Sequence, residues 1–333
     1  MPAVPVDESE LHARAEAVLG EVAPGARVAP LQALQGGASS ITYWTTWSAP
    51  GRAEERVVLK VAPAGLEPTK NRDVLRQARL QRALAGTAVP VPRVLAEHPG
   101  GPLEIPPFFV MSFEDGACVE PNFLPPEQQL PPEEVRGREL DAARVLGELH
   151  RLDPATVGLG DEPETGLEAE VARWVDSFAA CDEDLREGTE DVGAALAARI
   201  PPTGTTTLMH GDYRLGNTLS RGTTVVSVID WEIWQRGDAR VDLAWFLMMA
   251  NPDAALGRKT TPGMPSNREL LDVYQAARGA EVVDMSWFDA LVRYKQAAAG
   301  ALIARNARRR GQEASAGANA GLLASARLLL GIG

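Results

Sequence analysis

The stretch His210-Gly211-Asp212-Tyr213-Arg214-Leu215-Gly216-Asn217, followed by Ile229-Asp230-Trp231-Glu232, decides how the rest of the chain is read. Asp212 and Asn217 are five residues apart and joined by a turn-like stretch that contains Gly216. Between Asn217 and Asp230 lies a β-branched run, Thr223-Thr224-Val225-Val226 and Val228-Ile229, which reads as a buried strand. A strand ending in aspartate puts a carboxylate at the edge of a sheet, where a cation can reach it. One carboxylate, one amide oxygen and phosphate oxygens make a hard oxygen site suited to Mg2+. Asp212 is then left free to accept a proton. A base and a divalent cation are the parts that phosphoryl transfer needs. The bland reading is a surface turn, because His, Gly, Asp and Asn all favour turns. A metallophosphoesterase also uses Gly-Asp and Gly-Asn pairs, but it needs more histidine ligands, and only His12, His98 and His150 remain, in no suitable pattern.

Upstream of this stretch, Leu11, Ala15, Val18 and Leu19 recur like one face of a helix over 8–19. Ile41 to Trp47 and Val57 to Val61 read as two adjacent antiparallel strands around a polar turn, with Gly36 and Gly37 at the entrance to the first. A helix is expected over Asp73 to Leu84, with Gly86 where a capping glycine belongs. The prolines of Val89-Pro90-Val91-Pro92 impose an extended path, and Pro106 to Phe113 reads as another strand. The first 115 residues therefore form a small α+β unit. The proline- and acid-rich segment 122–134 reads as a loop, and from Glu133 onward helices dominate: Leu140 to Leu149, Glu168 to Leu185, Asp191 to Ile200, and Glu269 to Leu330.

His210-Gly211-Asp212 with Asn217, followed by Ile229-Asp230-Trp231, resembles the aminoglycoside phosphotransferase family, a protein-kinase-like group acting on small molecules. Gly237-Asp238-Ala239-Arg240-Val241-Asp242-Leu243-Ala244-Trp245 and the segment from Gly147 to Pro154 are similar to that family too, and the likeness runs from about Leu31 to Tyr294. The resemblance implies a two-lobed α+β fold: an N-terminal nucleotide-binding lobe over 1–115, built of sheet and one main helix, and a mostly helical catalytic and substrate-binding lobe over 116–333. It implies ATP (GTP is the other candidate) and Mg2+ as cofactors and a small-molecule hydroxyl as acceptor. Asp212 would be the base, Asn217 and Asp230 the magnesium ligands, and Arg214 a cation near the transferring phosphate. His210 and Asp242 would brace the loop. Lys60 would pair the α- and β-phosphates, although a lysine at a strand end is also a common solvated edge residue.

Gly36, Gly37, Ser39 and Ser40 would cover the phosphates with backbone N–H groups, or simply form the entry turn. The backbone of Met111 and Phe113 would meet the adenine. One departure stands out. The kinase pattern places a glutamate on the first helix of the lobe to pair with the lysine, and this chain has Gln77 there. Either Asp73, one turn earlier, substitutes for it, or Lys60 is held by hydrogen bonds only, or the enzyme is weakened. Gln77 also keeps a second reading open, a nucleotide-binding pseudokinase with a regulatory role.

Composition narrows the partners. Net charge is −12, and a negative field repels phosphate backbones, so nucleic acid is not expected. No apolar run approaches the ~18 residues that span a bilayer. The segment MPAVPVDESE lacks the basic and apolar regions of a signal peptide. Cys118 and Cys181 stand in no metal-ligand spacing and read as free thiols of a cytoplasmic protein. The acids Asp176, Asp182 and Glu183 read either as a solvated helix face or as partners for an amine.

Overall fold

The computed structural model describes residues 6–34, 40–102, 104–252, 261–315, 317 and 319–332. Its N-terminal part is an antiparallel sheet: β1 (Arg27–Val28), β2 (Gln32–Leu34), β3 (Ile41–Ala49), β4 (Arg52–Val61), β5 (Val94–His98) and β6 (Phe108–Ser112). The strand order is β1-β3-β4-β6-β5, with β2 also pairing β3. Strands β3 and β4 run longer than expected, because the turn between them closes tightly at Pro50-Gly51, where Gly51 takes a positive φ of 77°.

Alternation along β4 sets the two faces of the sheet. Val57, Leu59 and Val61 are fully buried against α1 (Glu8–Val22) through Leu11, Ala15 and Leu19. Full burial of such side chains contributes about 2 kcal/mol each. Lys60, opposite Thr42 on one side and Phe109 on the other, faces the second surface. There α2 (Val74–Leu84) packs Val74 and Ala78 on Ala62 and Phe109. Gly86, at φ 84°, follows the C-cap of α2 as expected.

The rest of the chain is mostly helical. α3 (Pro132–Arg151) starts on a proline at its first turn, which spares a donor that would be unsatisfied anyway. α4 (Leu167–Ala179) and α5 (Glu190–Ala198) follow. The helix expected to reach Leu185 stops at Ala179, and Glu183–Leu185 forms a separate single turn. A β interruption comes next: β7 (Thr206–Met209), the hairpin β8 (Thr218–Arg221) and β9 (Thr224–Val228), and β10 (Gln235–Asp238), which returns to pair with β7. α6 (Ala239–Ala250) is buried on every side. The terminal helical stretch divides into α7 (Asn267–Arg278), α8 (Met285–Arg309) and α9 (Asn319–Leu330). Gly279, at φ 76°, ends α7.

The molecule is thus an α+β, two-lobed, protein-kinase-like fold, with a sheet lobe first and a helical lobe after it. Arg76 and Arg79 of α2 tie the two together through Glu162, at 2.9 and 2.8 Å. Arg76 also stacks 3.8 Å over the Trp234 ring.

Candidate active site

The loop between β7 and β8 carries the stretch read first. His210 is fully buried, its ring 4.5 Å from that of Trp231. His210 Nε2 donates to the Ile229 carbonyl at 2.8 Å, and Nδ1 accepts the Asp212 N–H at 3.2 Å. Gly211 takes φ 88°, and a Cβ there would stand 2.6 Å from the Ile233 carbonyl oxygen, so only glycine fits without rearrangement. Asp242, in the first turn of α6, accepts the backbone N–H groups of His210 and Gly211 at 2.5 and 2.9 Å. His210 and Asp242 therefore sit where bracing residues were expected. Burial alone would raise the Asp242 carboxyl. His150 at 3.5 Å, with His210 and Lys295, outweighs burial and holds it below the usual range. Burial lowers the His150 imidazole despite Asp242 beside it, and His150 Nδ1 bonds the Tyr274 hydroxyl at 2.8 Å.

The Asp212 carboxylate is held on both oxygens. Trp245 Nε1 donates to Oδ1 at 2.8 Å, and Asn217 Nδ2 donates to Oδ2 at 2.9 Å. Asn217 Nδ2 also reaches the Asp212 carbonyl, at 2.7 Å. Because the nitrogen faces Asp212, the amide oxygen of Asn217 is left for another partner. Arg214 lies beside the base, with Nε 3.5 Å from Asp212 Oδ2 and Nη1 3.4 Å from Glu120. Glu120 in turn accepts the Gly216 N–H at 3.1 Å. A Cβ at Gly216 would meet the Arg214 guanidinium, which would have to move aside.

Asp230 follows β9 with φ 64° and ψ 50°, a left-handed conformation that is uncommon outside glycine and clusters at functional sites. Its Oδ1 accepts Lys60 Nζ at 2.9 Å. The partner of Lys60 is thus Asp230 and not Asp73, which corrects the expectation for Asp73. The Asp73 carboxylate is the N-cap of α2 and accepts the Arg76 N–H at 3.0 Å. Position fixes that outcome: a short acid just before a helix is worth about 1 kcal/mol as a cap. Gln77 is buried on α2, and neither of its amide atoms has a hydrogen-bond partner among the described residues.

Between the sheet and this loop lies a cavity of about 410 Å³, walled by Val58, Lys60, Met111, Asn217, Leu219 and Asp230 among others. Ser40 and Phe113 also line it. Gly36, Gly37 and Ser39 lie outside the described residues. The hinge expectation needs one correction. The Phe113 N–H is donated to the Arg56 carbonyl at 3.2 Å, so it is not free for an adenine edge. A wider depression of about 940 Å³ surrounds Glu183, Asp184, Arg186, Glu187, Asp191 and Arg327. It contains none of the site groups and is lined by exposed ion pairs such as Arg327 with Asp191.

Asp230 Oδ2 and the Asn217 amide oxygen suit a magnesium ion that takes its remaining ligands from phosphates and water. Among the described residues no cluster of three or more His, Cys, Asp or Glu could hold a metal unaided. The donor set therefore fits a cation that arrives with a nucleotide. Trp245 and Glu120 were not anticipated as site residues. Trp245 ends the quoted segment from Gly237, but nothing in the spacing points its N–H at Asp212. Glu120 lies in irregular chain with no periodicity to read.

Among the described residues no helix is long and apolar enough to cross a membrane, and Cys118 and Cys181 are both free. The chain is 27% identical over 296 residues to acyl-CoA dehydrogenase family member 10 of Mus musculus. That match covers 85% of this chain and 26% of the mouse protein, so the chain spans about a quarter of that relative's length. Among solved structures, a Ralstonia eutropha protein assigned to the aminoglycoside phosphotransferases superposes with a TM-score of 0.76 at 21% identity, covering 98% of each chain. A thermostable mutant of aminoglycoside phosphotransferase APH(4)-Ia, in ternary complex with AMP-PNP and hygromycin B, gives a TM-score of 0.57 at 15% identity, covering 91% of this chain and 93% of that one. Such likenesses establish the fold. Residues 30–282 match the family model directly, and the chain belongs to the phosphotransferase enzyme family.

Proposed function

We propose that this protein is a magnesium-dependent kinase that moves the γ-phosphoryl group of ATP to a hydroxyl of a small molecule. The observation that carries the reading is the Asp212 carboxylate, gripped on both oxygens by Trp245 and Asn217, next to a cleft that holds the Lys60–Asp230 pair. The division near residue 115 would separate the nucleotide-binding lobe from the catalytic one.

Asp212 orients the acceptor hydroxyl and takes its proton as the new O–P bond forms. Its two donors keep the carboxylate in one orientation, so little reorganisation remains for the transition state. Lys60 exchanges Asp230 for the α- and β-phosphates when the nucleotide enters. Arg214 supplies positive charge beside the base. Asp230 and the Asn217 amide oxygen would hold magnesium, which would neutralise phosphate charge when bound. GTP remains the alternative donor. The relatives' printed substrates, an aminoglycoside among them, set only the size class of acceptor to be tried first.

The test is transfer of label from γ-labelled ATP into the small-molecule fraction, with magnesium or with chelator. Acceptor-dependent, magnesium-dependent label in product is expected. Slow hydrolysis alone, equal in the protein and in Asp212→Ala, would count against a kinase. Gln77 supports a second reading, because an amide at that place on α2 cannot give Lys60 the ionic partner of the kinase pattern. Tight nucleotide binding without turnover on any acceptor would favour that regulatory role.

A further inference from the structure

The buried side of α8 is mostly apolar, with Leu291, Ala297, Ala298 and Ala301 fully buried, and it also carries two buried cations, Arg293 and Lys295. Lys295 is only 6% exposed. Burying an ammonium is expensive, and a methionine would fill the same space without that cost. The charge therefore calls for an explanation in what it touches.

Lys295 Nζ donates to the carbonyl oxygen of Gly211, at 2.5 Å. That carbonyl is half of the peptide bond that leads into Asp212. The ammonium also lies 4.3 Å over the Trp245 ring, whose N–H holds Asp212 Oδ1 at 2.8 Å. Trp174 of α4 closes the other side, at 5.7 Å. Two separate routes, one through backbone and one through an indole, thus run from Lys295 to Asp212. The charged groups facing the ammonium are Glu170 and Arg173 of α4, Asp242 of α6 and Asp212 of the loop. Burial draws the lysine down from its ordinary range, and the three carboxylates oppose that shift. Gly211 completes the arrangement, since its φ of 88° belongs to the conformation this contact holds.

We propose that Lys295 is a positioning residue for the catalytic base, fixing the Gly211–Asp212 peptide and the Trp245 indole so that the Asp212 carboxylate points at the acceptor hydroxyl. The role rests on the kinase reading above, whereas the geometry does not. The ammonium does not touch substrate and transfers no proton.

The test uses the full chain with Lys295→Met, Lys295→Arg and Lys295→Gln. Indole N–H exchange is read from 1H–15N spectra, with Trp245 assigned through Trp245→Phe. Magnesium-ATP affinity and acceptor kinetics are measured alongside. Lys295→Met should bind magnesium-ATP within about twofold of the unaltered protein, while kcat falls ~100-fold at constant acceptor KM. Its Trp245 N–H should exchange at least about tenfold faster, because opening of the indole is no longer restrained. Lys295→Arg should recover part of both.

Full kcat together with an unchanged Trp245 N–H in Lys295→Met overturns the proposal. If Lys295→Met does not fold, Lys295→Gln decides, since it removes the charge that lies over the Trp245 ring; unaltered indole exchange in that variant also overturns the proposal. If the unaltered protein transfers phosphate to no acceptor, the kinase reading fails, and indole exchange alone still decides whether Lys295 restrains the base.

Discussion

Asp212 is defined by what grips it. A hydrogen bond to a charged group is worth about 2 kcal/mol, so under the proposed kinase reading each of the two donors on its carboxylate should have a measurable share in catalysis. Trp245→Phe keeps the ring and deletes one donor. It should lower kcat by about 10- to 100-fold and leave nucleotide affinity unchanged. Steady-state kinetics with separate nucleotide titrations check this, and an unchanged kcat would remove Trp245 from the account.

Asp242 gives a prediction in pH. Its carboxyl is held below the ordinary value of 3.8, so its stabilising effect is complete above that value and is lost as pH falls through the depressed folded value. Asp242→Asn should therefore cost about 2 kcal/mol at pH 7, and the gap to the unaltered protein should close as urea unfolding is repeated at lower pH. A constant gap would contradict the sign. The Asp212, Asn217 and Asp230 constellation was legible in the sequence because its parts lie within one short segment. Trp245 lies 33 residues beyond Asp212, and Lys295 contacts a carbonyl 84 residues before it. No local pattern encodes such meetings. Asp73 did not take the role expected of it because its carboxylate caps its own helix instead of pairing with Lys60 in the same lobe.

At the scale of elements, periodicity located most helices and the central hairpin, since buried faces recur at fixed intervals. It failed where polar residues end an element. Helix α4 stops at Ala179, short of the Cys181-Asp182 step, and β7, β8 and β10 are too short for alternation to show. Close approaches of helices left a fainter trace, in glycine. Gly147 of α3 lies against α7, and a Cβ there would stand 2.6 Å from the Tyr274 carbonyl oxygen and 2.8 Å from the Ala277 Cβ. Gly147→Ala would improve helix propensity, yet the overlap with backbone should dominate and cost about 1–3 kcal/mol. Calorimetry should show a Tm several degrees lower, and an equal or higher Tm would mean that α3 and α7 can separate freely. The contact also bears on function, because His150 and Tyr274, one on each of these helices, lie behind Asp242.

At the scale of the whole molecule, the sheet and the helical part meet across the cleft, and on the α2 side they are joined both by ion pairs, such as Arg76 and Arg79 with Glu162, and by Leu80 and Leu84 of α2, which share a buried cluster with Leu159 and Trp234. A ligand spanning that cleft should stabilise both halves. At 100 times its Kd, magnesium-ATP should add about 2.7 kcal/mol to unfolding stability. The magnesium-dependent part of the Tm rise should vanish in Asp230→Asn while the fold persists. A rise indifferent to magnesium would place the metal elsewhere. The most direct test of the central claim is acceptor-dependent phosphoryl transfer by the unaltered protein and by Asp212→Asn, measured at saturating magnesium-ATP over a set of hydroxylated small molecules. The account predicts turnover on at least one acceptor, a loss of at least about 100-fold in kcat for the variant, and unchanged nucleotide affinity. Equal turnover in the two proteins would contradict Asp212 as the base.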